Sequence, residues 1–271
     1  MALLKKGGED ISTEYLGYVN PDYLQTLALK VKPLKERSYE LMHLQTGHRV
    51  IDIGCGSGMD TITLAEFVGP TGKVIGVDTD TQMILTANNK AKEAGVEDWV
   101  IHEHYDAMSL PYDSNYFDSC RTERLFQHVL NPENVLSEMV RITRPKGWLV
   151  AADTDHSTLS IDNSVVDIEW RMRRFRTDKF KSGYVGRQLY RLFKQQNLAD
   201  IIVEIFPFFS TDYALTRYFA LLDEAESEAI TTGIITKEEL QHWHANLEQA
   251  DEKGVFFASF TMILVAGRKI F

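Results

Sequence analysis

The chain has 271 residues, 44% of them hydrophobic, which is enough to bury the core of one large domain or of one domain with a cap. Its formal net charge of −10 argues against a general binder of nucleic acids or anionic membranes, because those surfaces attract positive charge. No apolar run reaches the length needed to cross a bilayer, and residues 1–10 lack the hydrophobic region of a signal peptide. Cys55 and Cys120 form no C-x-x-C pair, so a reducing cytoplasm is the expected location.

Residues 1–46 are predicted to form an N-terminal helical lid. Tyr15, Tyr18 and Tyr23 precede apolar residues at helical spacing, and a further helical stretch runs over about residues 34–44. If this region closes over a ligand, the three tyrosines are candidates for lining a substrate cavity. The alternative is a helical flank that only shields one edge of a sheet.

Residues 50–58 are predicted to form a buried strand and a glycine-rich turn, followed by a helix that begins near Met59. Gly54, Gly56 and Gly58 leave the backbone open to a ligand at the helix N-terminus, since they carry no Cβ. A dinucleotide-binding fingerprint needs its third glycine where this chain has Met59. The spacing therefore disfavours a nicotinamide-dependent oxidoreductase.

A second apolar strand, over residues 73–77, ends in an aspartate. Asp78 lies 20 residues beyond Gly58, where an acidic group at a strand end accepts hydrogen bonds from ribose hydroxyls in dinucleotide-binding folds. The alternative role for Asp78 is to cap the helix that follows. Because the spacing and the strand-end position agree, we favour ribose binding.

Three further sequence motifs follow the glycine-rich loop. The segments IDIGCGSG, GVD, DAMSLPYDSNYFD and RPKGWLVAAD occur in this order over about residues 40–155. Together they resemble the class I S-adenosylmethionine (SAM)-dependent methyltransferases related to those of ubiquinone and menaquinone biosynthesis. The resemblance implies SAM as the cofactor and a doubly wound α/β fold with a seven-stranded, mostly parallel sheet. It leaves the methyl acceptor open, as well as the choice among oxygen, nitrogen and carbon methylation.

The resemblance also assigns cofactor contacts to positions in this chain. It implies that the backbone around Gly54 and Gly56 holds the methionine part of SAM, with Asp52 orienting the loop. It further implies that Asp106, together with the amide of Ala107, recognises the hydrogen-bonding edge of the adenine base. The expected cofactor contacts are Asp52, Gly54, Gly56, Gly58, Asp78, Thr79, Met83, Asp106, Ala107 and, through its carbonyl group, Thr122.

An oxygen or nitrogen acceptor can require a base that works near neutral pH, which is the range of histidine. His128 and His156 follow the fourth and fifth predicted strands, so they are the candidate catalytic residues. Asp153 or Asp155 is a candidate for orienting them. For each histidine, the alternative is local hydrogen bonding without a role in catalysis.

A basic run over residues 170–181 allows two interpretations. It is either a solvated helix face or a recognition site for an anionic acceptor, with Arg174 as the candidate side chain. The same run keeps an RNA methyltransferase open as an alternative, and a non-catalytic SAM-binding protein is another. Histidine pairs at positions 102/104 and 242/244 lack a third ligand at suitable spacing, so no metal site is predicted.

The remaining segments complete the predicted organisation. The SAM-binding α/β core spans residues 47–210, a helical cap insertion spans 211–254, and the final core strand spans 255–271. The cap is predicted because roughly forty residues separate the last two strands, far more than a hairpin requires. We therefore expect a SAM-dependent methyltransferase, monomeric or homodimeric, that modifies a small-molecule acceptor in a capped cavity without nucleic-acid or membrane partners.

Overall fold

In the computed structural model, which describes residues 28–271, a seven-stranded sheet forms the centre of the protein. The strands are β1 (Arg49–Ile53), β2 (Lys73–Asp78), β3 (Val100–His104), β4 (Phe117–Glu123), β5 (Thr143–Ile161), β6 (Ala199–Ser210) and β7 (Ala258–Arg268). Their order across the sheet is β3-β2-β1-β4-β5-β7-β6. Strand β7 runs antiparallel to both of its neighbours, and the other pairs are parallel. The predicted doubly wound, mostly parallel fold is confirmed.

The connections between the strands are mainly helical. The helices are α1 (Lys32–Glu40), α2 (Met59–Val68), α3 (Thr81–Glu93), α4 (Pro132–Ile142), α5 (Val166–Lys179), α6 (Val185–Gln195), α7 (Tyr213–Ala220), α8 (Leu222–Thr231) and α9 (Lys237–Glu252). A short 3₁₀ turn, Phe126–His128, follows β4. Across the described chain, no helix combines the length and the apolar character that a bilayer crossing needs.

Both faces of the sheet are buried, which is why the central strands are almost continuously apolar. Neighbouring residues of β1 point to opposite sides, so Val50 joins one hydrophobic core and Ile51 joins the other. Helices α1, α2 and α3 contribute apolar residues to the first core, and α4 and α6 contribute to the second. The arrangement places the carboxyl ends of the parallel strands together at one edge.

The fifth strand is much longer than its sequence indicates. Its apolar part, residues 148–152, predicts a short strand followed by a polar loop, yet β5 continues to Ile161. The polar residues remain extended because their backbone pairs with β7, with Asp153 opposite Ile263 and Asp155 opposite Thr261. As a result, β5 and β7 extend beyond the short central strands and form a wall at the carboxyl edge.

The segment between β6 and β7 folds into α7, α8 and α9. These helices share a third hydrophobic core with α5 and the far end of β5, built around Trp243, Leu247, Met172 and Ile161. The basic run over residues 170–181 lies in α5 and in the turn that separates α5 from α6. At the other end of the chain, α1 packs on the sheet through Leu34, which is fully buried.

Candidate functional site

A cavity of about 990 Å³ lies at the carboxyl edge of the sheet. One side of it is formed by the glycine-rich loop after β1 and by the ends of β2 and β4. The other side is formed by the extended part of β5, by β6 and β7, and by α7. The cavity therefore has one side made by the parallel core and another made by the extended strands and α7.

Two glycines of the loop present bare backbone to this cavity. The N–H groups of Gly54 and Cys55 donate to the carbonyl oxygen of Val77 at 2.8 and 3.0 Å, which turns the chain sharply at the end of β1. Gly54 and Gly56 have φ angles of +75° and +51°, a left-handed conformation that favours glycine. Both residues line the cavity, while the thiol of Cys55 is buried.

Gly58 has a different role, in helix packing. A Cβ atom at this position would lie 2.7 Å from Cβ of Ala87 and 2.9 Å from Nε2 of His102. Helices α2 and α3 therefore approach each other closely only because residue 58 has no side chain. Gly58 does not line the cavity, and its assignment to the cofactor stays a prediction.

Asp78 connects the tip of β2 to the glycine-rich loop. Its Oδ2 accepts the N–H of Gly56 at 2.9 Å, and its Oδ1 accepts the N–H of Asp80 at 3.0 Å. Burial raises the pKa of Asp78, and these N–H donors oppose the increase. The helix-capping role considered for Asp78 is taken by Asp80, whose side chain accepts the N–H groups of Gln82 and Met83 at the start of α3.

Of the ten residues assigned to the cofactor from sequence, five line the cavity: Gly54, Gly56, Asp78, Thr79 and Met83. The hydroxyl of Thr122 instead donates to the carbonyl of Ile53 at 2.8 Å within the sheet. Asp106 is exposed and accepts the N–H of Met108 at 2.9 Å, next to the buried Ala107. The roles assigned to Thr122, Asp106 and Ala107 stay predictions.

Asp52 lies in a buried charged cluster that sequence reasoning did not anticipate. Nη1 of Arg121 is 3.0 Å from Oδ1 of Asp52, and Nη2 of Arg121 is 2.6 Å from Oε2 of Glu123. Nζ of Lys35 on α1 contacts Asp60 at 2.7 Å and the same Glu123 oxygen at 2.9 Å. The cluster thus contains three carboxylates and two cations. Four of its five members also line the cavity: Lys35, Asp60, Arg121 and Glu123.

The charges in this cluster determine one another's protonation. Burial raises the pKa of Asp52 to about 7, although the adjacent Arg121 acts in the opposite direction. Burial also acts to raise the pKa of Asp60, but Arg121 and Lys35 outweigh it and hold this pKa below its usual range. With Asp60 and Glu123 ionised, their two charges are balanced by Lys35 and Arg121, so the net charge of the cluster depends on the ionisation of Asp52. A signal for this was available, since Arg121 and Glu123 place opposite charges two residues apart in a central strand of the predicted sheet.

The two candidate catalytic histidines meet at one glutamine. Nε2 of His156 lies 2.7 Å from Oε1 of Gln127, and Nε2 of His128 lies 2.9 Å from Nε2 of Gln127. With the amide in this orientation, His156 donates to Gln127 and His128 accepts from it. The His156 ring also stacks on Phe180 with centroids 3.6 Å apart. Gln127 was not identified from sequence, because nothing in a single chain indicates that residues 127 and 156 are adjacent.

Both imidazoles are held in the neutral form. Burial, reinforced by Arg176, lowers the pKa of His156 to about 3. Burial, reinforced by Arg124 and Lys181, lowers the pKa of His128 to about 4. A general base works best when its pKa is near the working pH, so these histidines are weak proton acceptors at neutral pH.

Asp153, one candidate for orienting the histidines, is fully buried. Its side chain accepts the backbone N–H groups of Thr154 at 2.9 Å and of Gln127 at 3.3 Å, and its role in orienting the histidines stays a prediction. Burial raises the pKa of Asp153 to about 7. Asp155, the other candidate, pairs with Arg187 and Ser157.

Most of the basic run faces away from the cavity. Arg174 has a side chain that is 82% exposed and lies 3.5 Å from Asp178, so it does not line the cavity as expected for a substrate contact. Arg171 and Lys179 also pair with carboxylates, at 2.6 and 2.5 Å. Arg176 and Lys181 do line the cavity. The other lid candidates, Tyr15, Tyr18 and Tyr23, lie outside the described residues.

Within residues 28–271, no group of three or more His, Cys, Asp and Glu side chains is placed to hold a metal ion. His102 is instead buried between α2 and α3, where Nε2 lies 2.7 Å from the Thr61 hydroxyl and Nδ1 lies 3.0 Å from Oδ1 of Asn88. It serves the packing behind the glycine-rich loop.

Comparison with known proteins agrees with this geometry. A family model described as a methyltransferase domain matches residues 44–201. An uncharacterised 37.1 kDa protein in transposon TN4556 of Streptomyces fradiae is 31% identical over 250 residues, which cover 91% of this chain and 70% of that protein. The demethylmenaquinone methyltransferase of Anoxybacillus flavithermus is 38% identical over 118 residues, which cover 44% of this chain and about half (49%) of that protein.

Among solved structures, the YcgJ protein from Bacillus subtilis superimposes with a TM-score of 0.65 at 20% identity, covering 89% of this chain and 99% of that one. This likeness concerns the fold. The family match covers more than half of the chain and includes the glycine-rich loop and the strand that ends in Asp78. The protein therefore belongs to the methyltransferase domain family, as a class I enzyme whose cofactor is SAM.

Proposed function

We propose that this enzyme methylates a small molecule that has an apolar body and an anionic group and that binds in the capped side of the cavity. The observation that supports this most directly is a cavity that joins the glycine-rich loop and Asp78 to the walls formed by β5, β6, β7 and α7. Its volume of about 990 Å³ is at the upper end of ligand pockets, which leaves space for a cofactor and an acceptor together.

The residues on the core side fit SAM. The backbone of Gly54 and Gly56, free of side chains, would hold the methionine part, and Asp78 would accept hydrogen bonds from the ribose hydroxyls. Thr79 and Met83 would contact the nucleoside. When bound, SAM supplies a methyl group whose carbon accepts an electron pair from the acceptor while the carbon–sulfur pair stays on sulfur.

The buried charged cluster suits the same ligand. SAM carries positive charge on its sulfonium and its amine, and Asp60 and Glu123 place carboxylate charge beside the loop. Lys35 and Arg121 hold these carboxylates in position, so that little reorganisation is needed when a cation binds. In this proposal, the role of the chain is to bind, to orient and to exclude water.

The acceptor side of the cavity is mostly apolar. Its apolar lining residues include Leu159, Phe206, Phe208, Phe219, Phe260 and Met262. Arg124, Arg176 and Lys181 add positive charge on the same side as His128 and His156. An acceptor with a hydrophobic skeleton and a negative group would therefore match both kinds of surface. We propose that the two histidines position this acceptor through the hydrogen bonds they share with Gln127.

Calorimetric titration with SAM, and separately with NAD, tests the cofactor. We expect SAM to bind and NAD to show no binding, and the reverse result would overturn the proposal. A metabolite library is then screened for acceptors that release S-adenosylhomocysteine (SAH), first with small organic acids and phenols. SAM binding without turnover of any acceptor would favour a non-catalytic SAM-binding protein.

An RNA acceptor is not favoured, because Arg171, Arg174 and Lys179 pair with carboxylates and do not form a continuous basic face. RNA affinity that falls steeply with salt would contradict this view. We keep the cytoplasm as the proposed location, since Cys55 and Cys120 are both free thiols. Oligomeric state stays a prediction of monomer or homodimer.

A further inference from the structure

We infer that Asp52 releases its proton when SAM binds beside the glycine-rich loop and takes up a proton again when methyl transfer leaves SAH in the cavity. The buried cluster around Arg121 thereby favours the methyl donor over the product by charge, and it does so more strongly as the pH rises. This inference rests on the proposed function, in which SAM lies beside that loop, and it assigns Asp52 a part in the selectivity for the cofactor.

Asp52 shares its nearest cation with two other carboxylates. Nη1 of Arg121 lies 3.0 Å from Oδ1 of Asp52 and 3.4 Å from Oδ2 of Asp60. Nη2 of the same guanidinium lies 2.6 Å from Oε2 of Glu123. Lys35 provides a second cation for Asp60 and Glu123, at 2.7 and 2.9 Å, whereas Asp52 has no ion pair besides Arg121 among the described residues. Of the three carboxyl groups, Asp52 therefore has the fewest cationic contacts.

The other titratable neighbours of Asp52 do not supply the missing positive charge. In the sheet, Asp52 lies between Arg121 of β4 and Gly76 of β2, which has no side chain. The remaining titratable groups around it are two thiols and a phenol, on Cys55, Cys120 and Tyr39. Burial raises the pKa of each of these groups above its usual range, so all three are neutral near pH 7.

Arg124 reaches the cluster from another side. Its Nε lies 3.5 Å from Oε1 of Glu123, whereas the other two cations contact Oε2 of that residue. Within residues 28–271, Arg124 forms an ion pair with Glu123 and none with Asp52. Its charge therefore supports the ionised form of Glu123 more directly than that of Asp52.

Ionised Asp52 is costly in the free enzyme, because a buried charge needs a close partner of opposite sign. Burial raises its pKa to about 7, against the effect of Arg121, so the side chain is about half protonated at neutral pH. A further cation in the cavity favours the ionised form and lowers this pKa. SAM brings such a cation, and the proton of Asp52 then passes to the buffer.

The cavity connects the cluster to the charge of the ligand. Arg121, which contacts Asp52, lines the cavity together with Gly54 and Gly56. SAM carries one positive charge more than SAH, because the electron pair of the broken carbon–sulfur bond stays on sulfur and neutralises the sulfonium. In a site of low dielectric constant, the loss of that charge is felt by nearby carboxyl groups. Asp52 therefore takes a proton from the solvent when SAM is converted to SAH.

The first test counts protons by calorimetry on the full chain. SAM, SAH and sinefungin, which has an ammonium group in place of the sulfonium, are titrated in phosphate and in Tris, two buffers with different ionisation enthalpies. At pH 7, wild type should release about half a proton more than Asp52→Asn with SAM or sinefungin, and much less than this with SAH. The ligand amines also titrate near this pH, and the variant shares their contribution. Failure of SAM to bind would count against the proposed function itself.

The second test follows affinity across pH. Between pH 6 and pH 8, the ratio of the SAH to the SAM dissociation constant should rise about fivefold or more in wild type relative to Asp52→Asn, because wild type must release a proton at the lower pH. Asparagine keeps the size of the side chain and an oxygen that accepts from Arg121. The control, Asp200→Asn, removes a carboxylate whose side chain is 54% exposed and should behave as wild type.

Infrared difference spectroscopy on wild type decides the matter if Asp52→Asn does not fold. At pH 6, SAM should remove the carbonyl stretch of a protonated carboxyl group, and SAH should retain it. The same loss should occur in Asp153→Asn, which removes another buried carboxyl group whose pKa is raised to about 7.

A band that persists when SAM binds would overturn the inference while leaving SAM binding intact. Equal proton release in wild type and Asp52→Asn would do the same. Equal excess release with SAM and SAH would show that the cluster responds to the amine that both ligands share, and it would overturn the proposed selectivity for the methyl donor.

Discussion

Arg121 on β4 and Asp52 on β1 form an ion pair within the sheet, with Nη1 and Oδ1 3.0 Å apart and side chains that are 1% and 2% exposed. The two residues are partners in the parallel register, so the pairing of the strands brings the charges together. Burying a charge is costly unless it is paired. This contact therefore links the stability of the core to the charged wall of the cavity.

Replacing Arg121 should strongly destabilise the protein. Arg121→Met would leave Asp52, Asp60 and Glu123 with Lys35 as their one remaining cation in the cluster. We expect a loss of about 3–5 kcal/mol in the free energy of unfolding, measured by urea denaturation, because an unpaired buried charge remains. The control is Arg268→Met, at an ion pair with Asp200 that is partly exposed, which should cost at most about 1 kcal/mol. If the two substitutions lowered the free energy of unfolding equally, the buried cluster would contribute no more to stability than a partly exposed ion pair does.

Removing the Asp78 carboxylate should weaken cofactor binding. Asp78→Ala removes a carboxylate that can accept hydrogen bonds from a ligand in the cavity at the end of β2. It also removes the hydrogen bond from the N–H of Gly56. We expect the dissociation constant for SAM to rise by about fivefold or more, equivalent to at least about 1 kcal/mol. Asp98→Ala, at an exposed turn before β3, is the control and should bind SAM as wild type does. Unchanged affinity in Asp78→Ala would remove Asp78 from the site.

His102 should make the protein sensitive to acid. Burial lowers its pKa from 6.5 to about 4, so the unfolded chain binds a proton between these values and the folded chain does not. The stability that this neutral imidazole provides is complete above pH 6.5 and falls as the pH decreases towards 4.

The corresponding variant is His102→Gln. Between pH 7.5 and 5, wild type should lose about 2 kcal/mol more of its unfolding free energy than this variant does. The measurement is urea denaturation at each pH, which separates the acid sensitivity from any constant cost of the substitution. His104→Gln, at an exposed residue of the same strand, should retain the acid sensitivity of wild type. Parallel curves for wild type and His102→Gln would contradict the assignment.

The histidines beside Gln127 should be of modest importance for the chemical step. Since burial lowers their pKa values to about 4 and 3, His128→Gln and His156→Gln should each reduce kcat by less than about tenfold once an acceptor is known. Removal of a true general base costs about 100- to 10,000-fold. KM should change more than kcat, because these residues position the acceptor. A loss of kcat in the larger range, with SAM affinity unchanged, would restore the role of catalytic base.

Local patterns in the chain were sufficient for the core of the fold. Alternating strands and helices, the glycines around residue 56 and the aspartate after the second strand are short-range features, and the physics that they express acts over a few residues. They predicted the parallel sheet and the loop that faces the cavity. Gly58 also meets a packing constraint that these patterns did not indicate, because it comes from Ala87 and His102, which are distant in sequence.

The length of β5 could not be predicted from local sequence patterns. Asp153 and Asp155 have the polarity of a loop, and their extended conformation results from pairing with β7 about a hundred residues later. His156 follows these residues and lies beside Gln127, and both β5 and β7 contribute residues to the cavity wall.

By itself, the amino-acid sequence determined the fold class, the family and the cofactor, because glycine spacing and apolar periodicity are local. Only the tertiary structure decided which charges meet: Lys35 with Asp60 and Glu123, Arg121 with Asp52, and Arg124 at the boundary with the acceptor side. The physical reason is that electrostatic interactions depend on distance through space and on burial, and both are set by the packing of residues far apart in the chain.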